Sequence, residues 1–468
     1  MHPVAFLNVE DNLLIIPKHY YGNRSIVELI CDLTDNIILL RGSIMVDKIT
    51  SLEDYDFFIK SLQDEIQKLN DGTLAIVYED IKYFKYFNDT YGYKRGDELL
   101  VRLATLSVHG RKGVVCGTRV VSDNIVWIVK FDKGTHSDIY SIIAETTAAR
   151  ERILREEFDC TRIRLAVGVY LIDKEKKNIN PETAVSNANL ARKKAKEAGS
   201  SSVAFFKEEM ADNLSHELEI ISSVDKAIET KEFLAYYQPK IASEGSEIMG
   251  AEALVRWKKD GKFIFPDQFI PAIERSRQII EVDYYMYNEV FAFIRKRLDA
   301  GLKVVPISLN VSRQHMKHLE IIDYVKGLLD KYKIPTEYLE FELTETVCME
   351  DTKNAMQFID SFHEMGIKVS MDDFGSGFSS LNLLSEMPLD IIKLDRCFLH
   401  SNILQKKEKI VLSNIIRMAK ELEITSLCEG VETEQQSDFL KEIGCDIQQG
   451  YYFARPLCED DFSNMLGA

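Results

Sequence analysis

With 468 residues, 46% of them hydrophobic and 28% charged, the chain has the composition of a soluble globular protein of two or three domains. A formal charge of −17 argues against sequence-independent nucleic-acid binding and direct DNA contact. No apolar run reaches membrane-spanning length, no signal-peptide pattern opens the chain, and the eight cysteines lack CxxC pairs, so the expected compartment is the cytoplasm.

Residues 1–44 hold strand candidates at 12–17 and 37–41 with a helix candidate at 25–33 between them. This is too short for a full core of its own. It reads as a reduced sensor or as an extension packed on the next domain. A second unit spans 45–206. A strand at 74–78 ends at Glu79-Asp80, and an aromatic-rich helical stretch covers 81–87. A turn is expected at 88–92, and Gly96-Asp97 opens another helix. Alternating stretches at 113–121 and 125–131, joined at Ser122-Asp123-Asn124, read as a β-hairpin. A helix at 137–158, a strand at 162–171, a helix at 181–198 and a last strand at 203–206 complete an α+β domain with a central antiparallel sheet. Residues 207–231 read as an amphipathic helix, either a linker or the first helix of the next unit.

Residues 232–468 repeat one pattern. Apolar strand candidates, most of them followed by helices, end in polar residues. The strand at 248–257 contains Glu252. The one at 304–309 runs into Asn310. The one at 339–341 runs into Glu342, with Glu345 beyond. The one at 367–371 runs into Asp372 and Asp373, then a loop with Gly375 and Gly377. Lys393 and Asp395 follow 391–392, Glu429 follows 425–428, and Gln449 follows 446–448. Strand–helix alternation predicts a parallel sheet. About eight strand candidates over roughly 230 residues fit a closed α/β architecture, a TIM-like (β/α)-barrel with its chemistry at the C-terminal strand ends. Adjacent carboxylates diverge within a strand, but at its frayed end both can turn to one centre. There they repel unless a cation lies between them, and hard oxygen ligands suit Mg²⁺ or Mn²⁺.

The stretch Gly250-Ala251-Glu252-Ala253-Leu254-Val255-Arg256-Trp257 resembles the signature of the EAL family of cyclic di-GMP phosphodiesterases. Ser308 to Ser312, Glu342-Leu343-Thr344-Glu345, the loop after Asp372, Lys393-Leu394-Asp395, Glu429 to Glu432 and Gln449-Gly450-Tyr451 follow in that family's order, so the resemblance covers about 215–466. It implies metal-dependent hydrolysis of cyclic di-GMP to linear 5'-pGpG, with two cations about 3.5 to 4 Å apart. By the resemblance, Glu252, Asn310, Glu342 and Asp372 hold one metal. Asp372 bridges to a second, completed by Asp373 and Glu429, with Gln449 acting through water. Lys393 and Glu429 position and activate the attacking water. Arg256 forks onto a phosphate oxygen, and Gln238 contacts substrate at the mouth. Glu345 pins the loop 374–380, which in the family touches a homodimer interface.

The domain at 45–206 resembles the GGDEF family of diguanylate cyclases in degenerate form. Asp47-Lys48-Ile49-Thr50-Ser51-Leu52 matches its opening motif, and Asp80 to Asp89 its metal and nucleotide motif, with Lys82 replacing an acid. Asn88 and Asp97 match guanine-binding positions, and Lys196 a phosphate-binding one. The hairpin reads Val121-Ser122-Asp123-Asn124-Ile125, without either glycine and without the second acid. Val121 obstructs close backbone approach to a triphosphate, so the resemblance implies no cyclase activity. No RxxD inhibitory site precedes the hairpin. The domain is then a structural, dimerising partner, or a GTP-binding regulator using Asp80, Asn88, Asp97 and Lys196. The rival to catalysis is a silent cyclic di-GMP receptor that signals to a protein partner.

Overall fold

The computed structural model describes residues 4–9, 12–17, 46–109, 112–132, 136–176, 178–197, 203–245, 247–317, 319–375, 381–399 and 406–467. Contacts divide the chain into two compact units, 1–214 and 215–468, and the helix Glu208–Glu229 crosses the division. Among the described residues no helix is long and apolar enough to cross a membrane.

In the first unit, Val4–Val9 (β1) and Asn12–Pro17 (β2) pair antiparallel, so the strand expected at 12–17 forms. The candidates at 25–33 and 37–41 lie outside the described residues. Thr73–Ile81 (β3), Val114–Val121 (β4), Asn124–Phe131 (β5), Leu165–Ile172 (β6) and Val203–Phe205 (β7) form one sheet in the order β4-β5-β3-β6-β7. Only the β6–β7 pairing is parallel among them. The central strand β3 is buried along its whole length because both its faces are covered. Its alternation sends Leu74, Ile76 and Tyr78 against Phe58, Leu62 and Ile66 of the helix Tyr55–Lys68. Ala75 and Val77 face the other way, toward Leu99 and Leu103 of the helix Tyr93–Ser107. The turn expected at 88–92 is mostly helix instead. Phe84–Tyr91 is helical and breaks only at Gly92, whose φ of 86° no helical residue adopts.

In the second unit the strands are Phe233–Ala242 (β8), Ile248–Lys259 (β9), Lys262–Ile264 (β10), Ile307–Asn310 (β11), Leu339–Thr344 (β12), Lys368–Phe374 (β13), Ile391–Leu394 (β14), Thr425–Cys428 (β15) and Ile447–Gln448 (β16). Among the described residues, all but β10 close into an eight-stranded barrel in the order β9-β11-β12-β13-β14-β15-β16-β8, with β8 returning to β9. β10 is a short antiparallel addition to β9. The parallel sheet expected from the sequence needs one correction, because β8 runs antiparallel to both β9 and β16. Residues 243–247 join β8 to β9. Such a link makes a hairpin and is far too short for the crossover that parallel strands require.

The barrel's outer core is apolar and continuous. Phe341, Val369, Met371 and Ile392 pack beneath Phe358, Ile359 and Phe362 of the helix Thr352–Glu364. Each such buried side chain contributes about 1.5–3 kcal/mol, so the wall is stable enough to tolerate a polar interior. At Gly250 of β9 a Cβ would lie 2.8 Å from the Pro306 carbonyl oxygen. The close approach lets Ala251 N–H donate to that carbonyl at 2.9 Å and locks β9 against the start of β11.

Candidate active site

The strand ends converge on one ammonium. Lys393, on β14, is fully buried. Its Nζ lies 2.7 Å from Glu429 Oε1, 3.0 Å from Asp372 Oδ1 and 3.4 Å from Glu252 Oε2, and it also donates to Glu342 Oε2. The parallel register staggers Glu252, Glu342 and Asp372 by two residues from one to the next. Glu252 pairs with Ser308, Asn310 with Glu342, and Thr344 with Asp372. Asn310 Nδ2 donates to Glu252 Oε1 at 3.0 Å, and Gln449 Nε2 donates to Glu252 Oε2 at 2.7 Å. Gln449 Nε2 also reaches Gln238 Oε1 at 3.4 Å, and Gln238 Nε2 donates to the Ala454 carbonyl at 3.3 Å.

The Asp pair is turned by a bulge. The β13–β14 register shifts between Met371 and Phe374, and Asp373 adopts φ 57°. A bulge re-aims side chains that a regular strand would send to opposite faces. Asp372 thereby joins Lys393. Asp373 is half-buried, and its backbone N–H donates to Asp372 Oδ1 at 2.9 Å. Among the described residues no ion pair links Asp373 to Lys393.

Electrostatics follow from too many acids around few cations. Burial would lower the Lys393 ammonium, yet Asp372, Glu252, Glu342 and Glu429 hold it well above its ordinary value, so it stays protonated. Burial would raise Glu342, but Lys393 and Lys240 pull it down to about 2. Burial pushes Glu429 up to about 7, with Lys393 opposing only in part. Asp372 stands well above the usual carboxylate range, through burial and the neighbouring acids. Burial and then Asp395 raise Asp373.

Beside this cluster lies a cavity of about 470 Å³, lined by Glu252, Arg256, Asn310, Asp283, Arg313 and Thr346 among others. Arg256 is half-buried, its Nη1 donating to the Val255 carbonyl at 2.9 Å and its guanidinium 5.9 Å from the Tyr236 ring centre. Among the described residues no three His, Cys, Asp or Glu side chains are gathered as a closed metal nest. The donor set nevertheless fits a hard divalent ion. It is all oxygen, it carries more acid than its ammonium neutralises, and Gln449 Oε1 is buried without a hydrogen-bond partner.

Glu345 opens the helix Glu345–Glu350 and is buried. Its Oε2 accepts the Gly375 N–H at 3.0 Å. Gly375 has φ 92°, and a Cβ there would fall 2.2 Å from the Phe398 ring. The start of the 374–380 loop is therefore held by one carboxylate and one ring, while 376–380 lie outside the described residues. Replacing Glu345 by Ala is expected to weaken Mn²⁺ binding by about tenfold while the fold stays intact, as loss of an outer support does. Titration calorimetry checks this, and unchanged affinity refutes it.

In the first unit the structure pairs two of the nucleotide candidates, Asp80 and Lys196. Asp80 is buried on β3, and its Oδ2 accepts from Arg192 and, at 2.5 Å, from Lys196. Asn88 lies inside the helix Phe84–Tyr91 with Oδ1 buried and unpartnered, and a Cβ at Gly96 would strike it. Asp97 is exposed on the helix Tyr93–Ser107. Asp123 accepts the Ile81 N–H at 2.9 Å, so the hairpin acid ties the turn to β3. Ser122 takes φ 54°, a conformation that suits glycine. With two internal cations on Asp80 and Lys82 in place of an acid, these residues do not fit a divalent ion.

Sequence reasoning missed Lys240, Glu340, Asp283 and Arg313. Lys240 shares a face of β8 with Gln238, two residues away, inside a strand that the structure shows to be buried. A lysine there has to be paired.

The EAL domain family matches residues 221–456, and the family described as "Diguanylate cyclase, GGDEF domain" matches 44–202. Among curated proteins, the chain is 27% identical over 438 residues to the "Bifunctional diguanylate cyclase/cyclic di-GMP phosphodiesterase MucR" of Pseudomonas aeruginosa, covering 93% of this chain and 62% of that protein. It is 28% identical over 425 residues to the "Cyclic di-GMP phosphodiesterase PdeR" of Escherichia coli, covering 88% and 61%. Over 247 residues it is 33% identical to the "Cyclic di-GMP phosphodiesterase RocR" of Pseudomonas aeruginosa, covering 53% and 63%. The chain thus spans less than two thirds of the length of these relatives. Among solved structures, "PaMucR Phosphodiesterase, c-di-GMP complex" is 29% identical, with a TM-score of 0.50, over 52% of this chain and 99% of that one. "Vibrio cholerae LapD S helix-GGDEF-EAL (bound to c-di-GMP)" shares the fold at 21% identity, with a TM-score of 0.53, over 90% and 99%.

Proposed function

Because this chain belongs to the EAL family and carries a GGDEF domain ahead of it, we propose that it hydrolyses one phosphodiester of cyclic di-GMP to linear 5'-pGpG at the barrel mouth, in a reaction dependent on Mg²⁺ or Mn²⁺. The observation that carries this reading is the gathering of Glu252, Glu342, Asp372 and Glu429 around Lys393 beside a cavity of substrate size. Glu252, Asn310, Glu342 and Asp372 would hold one ion, and Asp372, Asp373 and Glu429 a second, with Gln449 assisting through water. Bound there, such ions neutralise the phosphodiester and lower the pKa of attached water.

The chain's own groups do the rest. Lys393 stays charged and orients the attacking oxygen rather than taking its proton. Glu429, 2.7 Å from Lys393, is placed beside the attacking oxygen to take its proton. Arg256 offers a guanidinium fork to a phosphate oxygen, and Gln238 contacts substrate from β8. The GGDEF domain acts without cyclase activity, as a dimerising module or as a GTP sensor through Asp80, Asn88, Asp97 and Lys196. The active species is a homodimer in the cytoplasm.

The test is turnover of cyclic di-GMP by purified protein after chelation and after return of Mg²⁺ or Mn²⁺, with and without GTP. Metal-restored formation of 5'-pGpG supports the hydrolase, and stimulation by GTP supports the sensor. No turnover with retained cyclic di-GMP binding moves the reading to a silent receptor. No GTP binding at millimolar concentration removes the sensor.

A further inference from the structure

We propose that Lys240 is a positioning residue of the barrel site, its ammonium holding one oxygen of Glu342 so that the other is presented to Lys393 and to a bound cation. This rests on the metal-dependent reading above.

Glu340 and Glu342 lie two apart on β12 and face the same way, both buried. Two buried carboxylates side by side repel unless a cation lies between them. Lys240 supplies it from β8, which is not a neighbour of β12, so the side chain crosses the barrel interior. Its Nζ sits 2.9 Å from Glu340 Oε1 and 3.0 Å from Glu342 Oε1. Glu342 Oε2 is left for Lys393. Each oxygen of this carboxylate is therefore committed to a different ammonium, which fixes its rotation.

Lys240 pairs across β8–β9 with Gly250, where a Cβ would stand 3.7 Å from the lysine chain. Ser308, opposite Glu340 on β11, helps hold the Glu342 carboxyl down. A carboxylate held at one oxygen presents a single, aimed donor. Outer partners of this kind set metal affinity nearly as strongly as the ligands do.

The test is calorimetric titration of Mn²⁺ into the full chain. Lys240→Met is expected to weaken Mn²⁺ binding about 10- to 100-fold. Lys240→Met/Glu340→Gln is expected to recover most of that loss, because an amide at 340 can donate to the oxygen the ammonium held. Lys240→Arg keeps the charge but moves the donors, and is expected to weaken binding while KM for cyclic di-GMP stays unchanged and kcat falls. Should Lys240→Met not fold, Lys240→Arg decides. Unchanged Mn²⁺ affinity in a folded variant means a purely structural ion pair and overturns the proposal. Tighter binding means that Lys240 acts only as a repelling charge, and overturns it too. A parent chain that takes up Mn²⁺ yet leaves cyclic di-GMP intact refutes the hydrolase reading alone, since the variant isotherms still decide on Lys240. A parent chain that takes up no Mn²⁺ overturns this inference as well.

Discussion

Replacing Lys393 by Met is expected to cut hydrolysis of cyclic di-GMP by about 10²- to 10⁴-fold, the range that a lost proton-handling or orienting group commonly costs. The ammonium is the shared partner of Glu252, Glu342, Asp372 and Glu429. Without it, four acids face one another in a buried site, and some must take up protons or turn away. The substitution keeps most of the side-chain volume, so the apolar wall around β14 has no reason to repack. Removing one partner of a buried ion cluster typically costs about 3–5 kcal/mol. The metal-free variant should therefore melt lower than the parent, and added Mn²⁺ should recover more stability in the variant than in the parent. Steady-state kinetics at saturating Mn²⁺ and paired melting curves check both parts. Parental kcat in the variant would remove Lys393 from the chemistry.

Without metal, stability is expected to fall as pH rises from about 4.5 to about 7, through Glu429. Its carboxyl is pushed from its ordinary 4.5 up to about 7 by burial, against a partial pull from Lys393. Between those values the folded chain keeps a proton that the unfolded chain has released. The folded state binds more protons there, so its stability declines with rising pH and levels off above about 7. The full decline is at most about 3 kcal/mol. Glu342 runs the other way. Lys393 and Lys240 overcome its burial and hold it down to about 2, so its contribution is present above about 4.5 and is lost as pH falls toward 2. Mn²⁺ should erase the decline, and its affinity should rise with pH through neutrality, because it binds the deprotonated form. Denaturant unfolding of chelated protein from about pH 5 to about pH 8, compared with Glu429→Gln, measures this. An equal decline in both proteins would place its source elsewhere.

The barrel was readable because its parallel strands end abruptly in polar residues. Glu252, Asn310, Glu342, Asp372, Glu429 and Gln449 each follow or interrupt an apolar run, and the structure brings the four acids onto Lys393 and the two amides onto Glu252. β8 escaped that logic. It runs the other way, so its polar residues Gln238 and Lys240 sit mid-strand rather than at a terminus. A lysine in an alternating strand also reads as solvent-facing until the acids across the barrel, Glu340 and Glu342, are known. The bulge at Asp373 was half-legible. Adjacent acids signalled a special backbone, but a one-residue register shift has no composition of its own. In the first unit, two helices meet at Gly92, and the sequence reading of a helix, a turn at 88–92 and a further helix placed the break too early.

The reversed direction of β8 decides where the chain enters the barrel. In an all-parallel barrel the first strand starts at the floor, opposite the site. Here Phe233 begins β8 beside Trp257, near the end of β9 and past Glu252, and the strand then descends to Ala242. The helix Glu208–Glu229 therefore delivers its C-terminal end to the catalytic rim. Glu229, at the end of that helix, lies nine residues of backbone from Gln238. One inverted strand places the chain's entry to the barrel and the candidate site on the same edge.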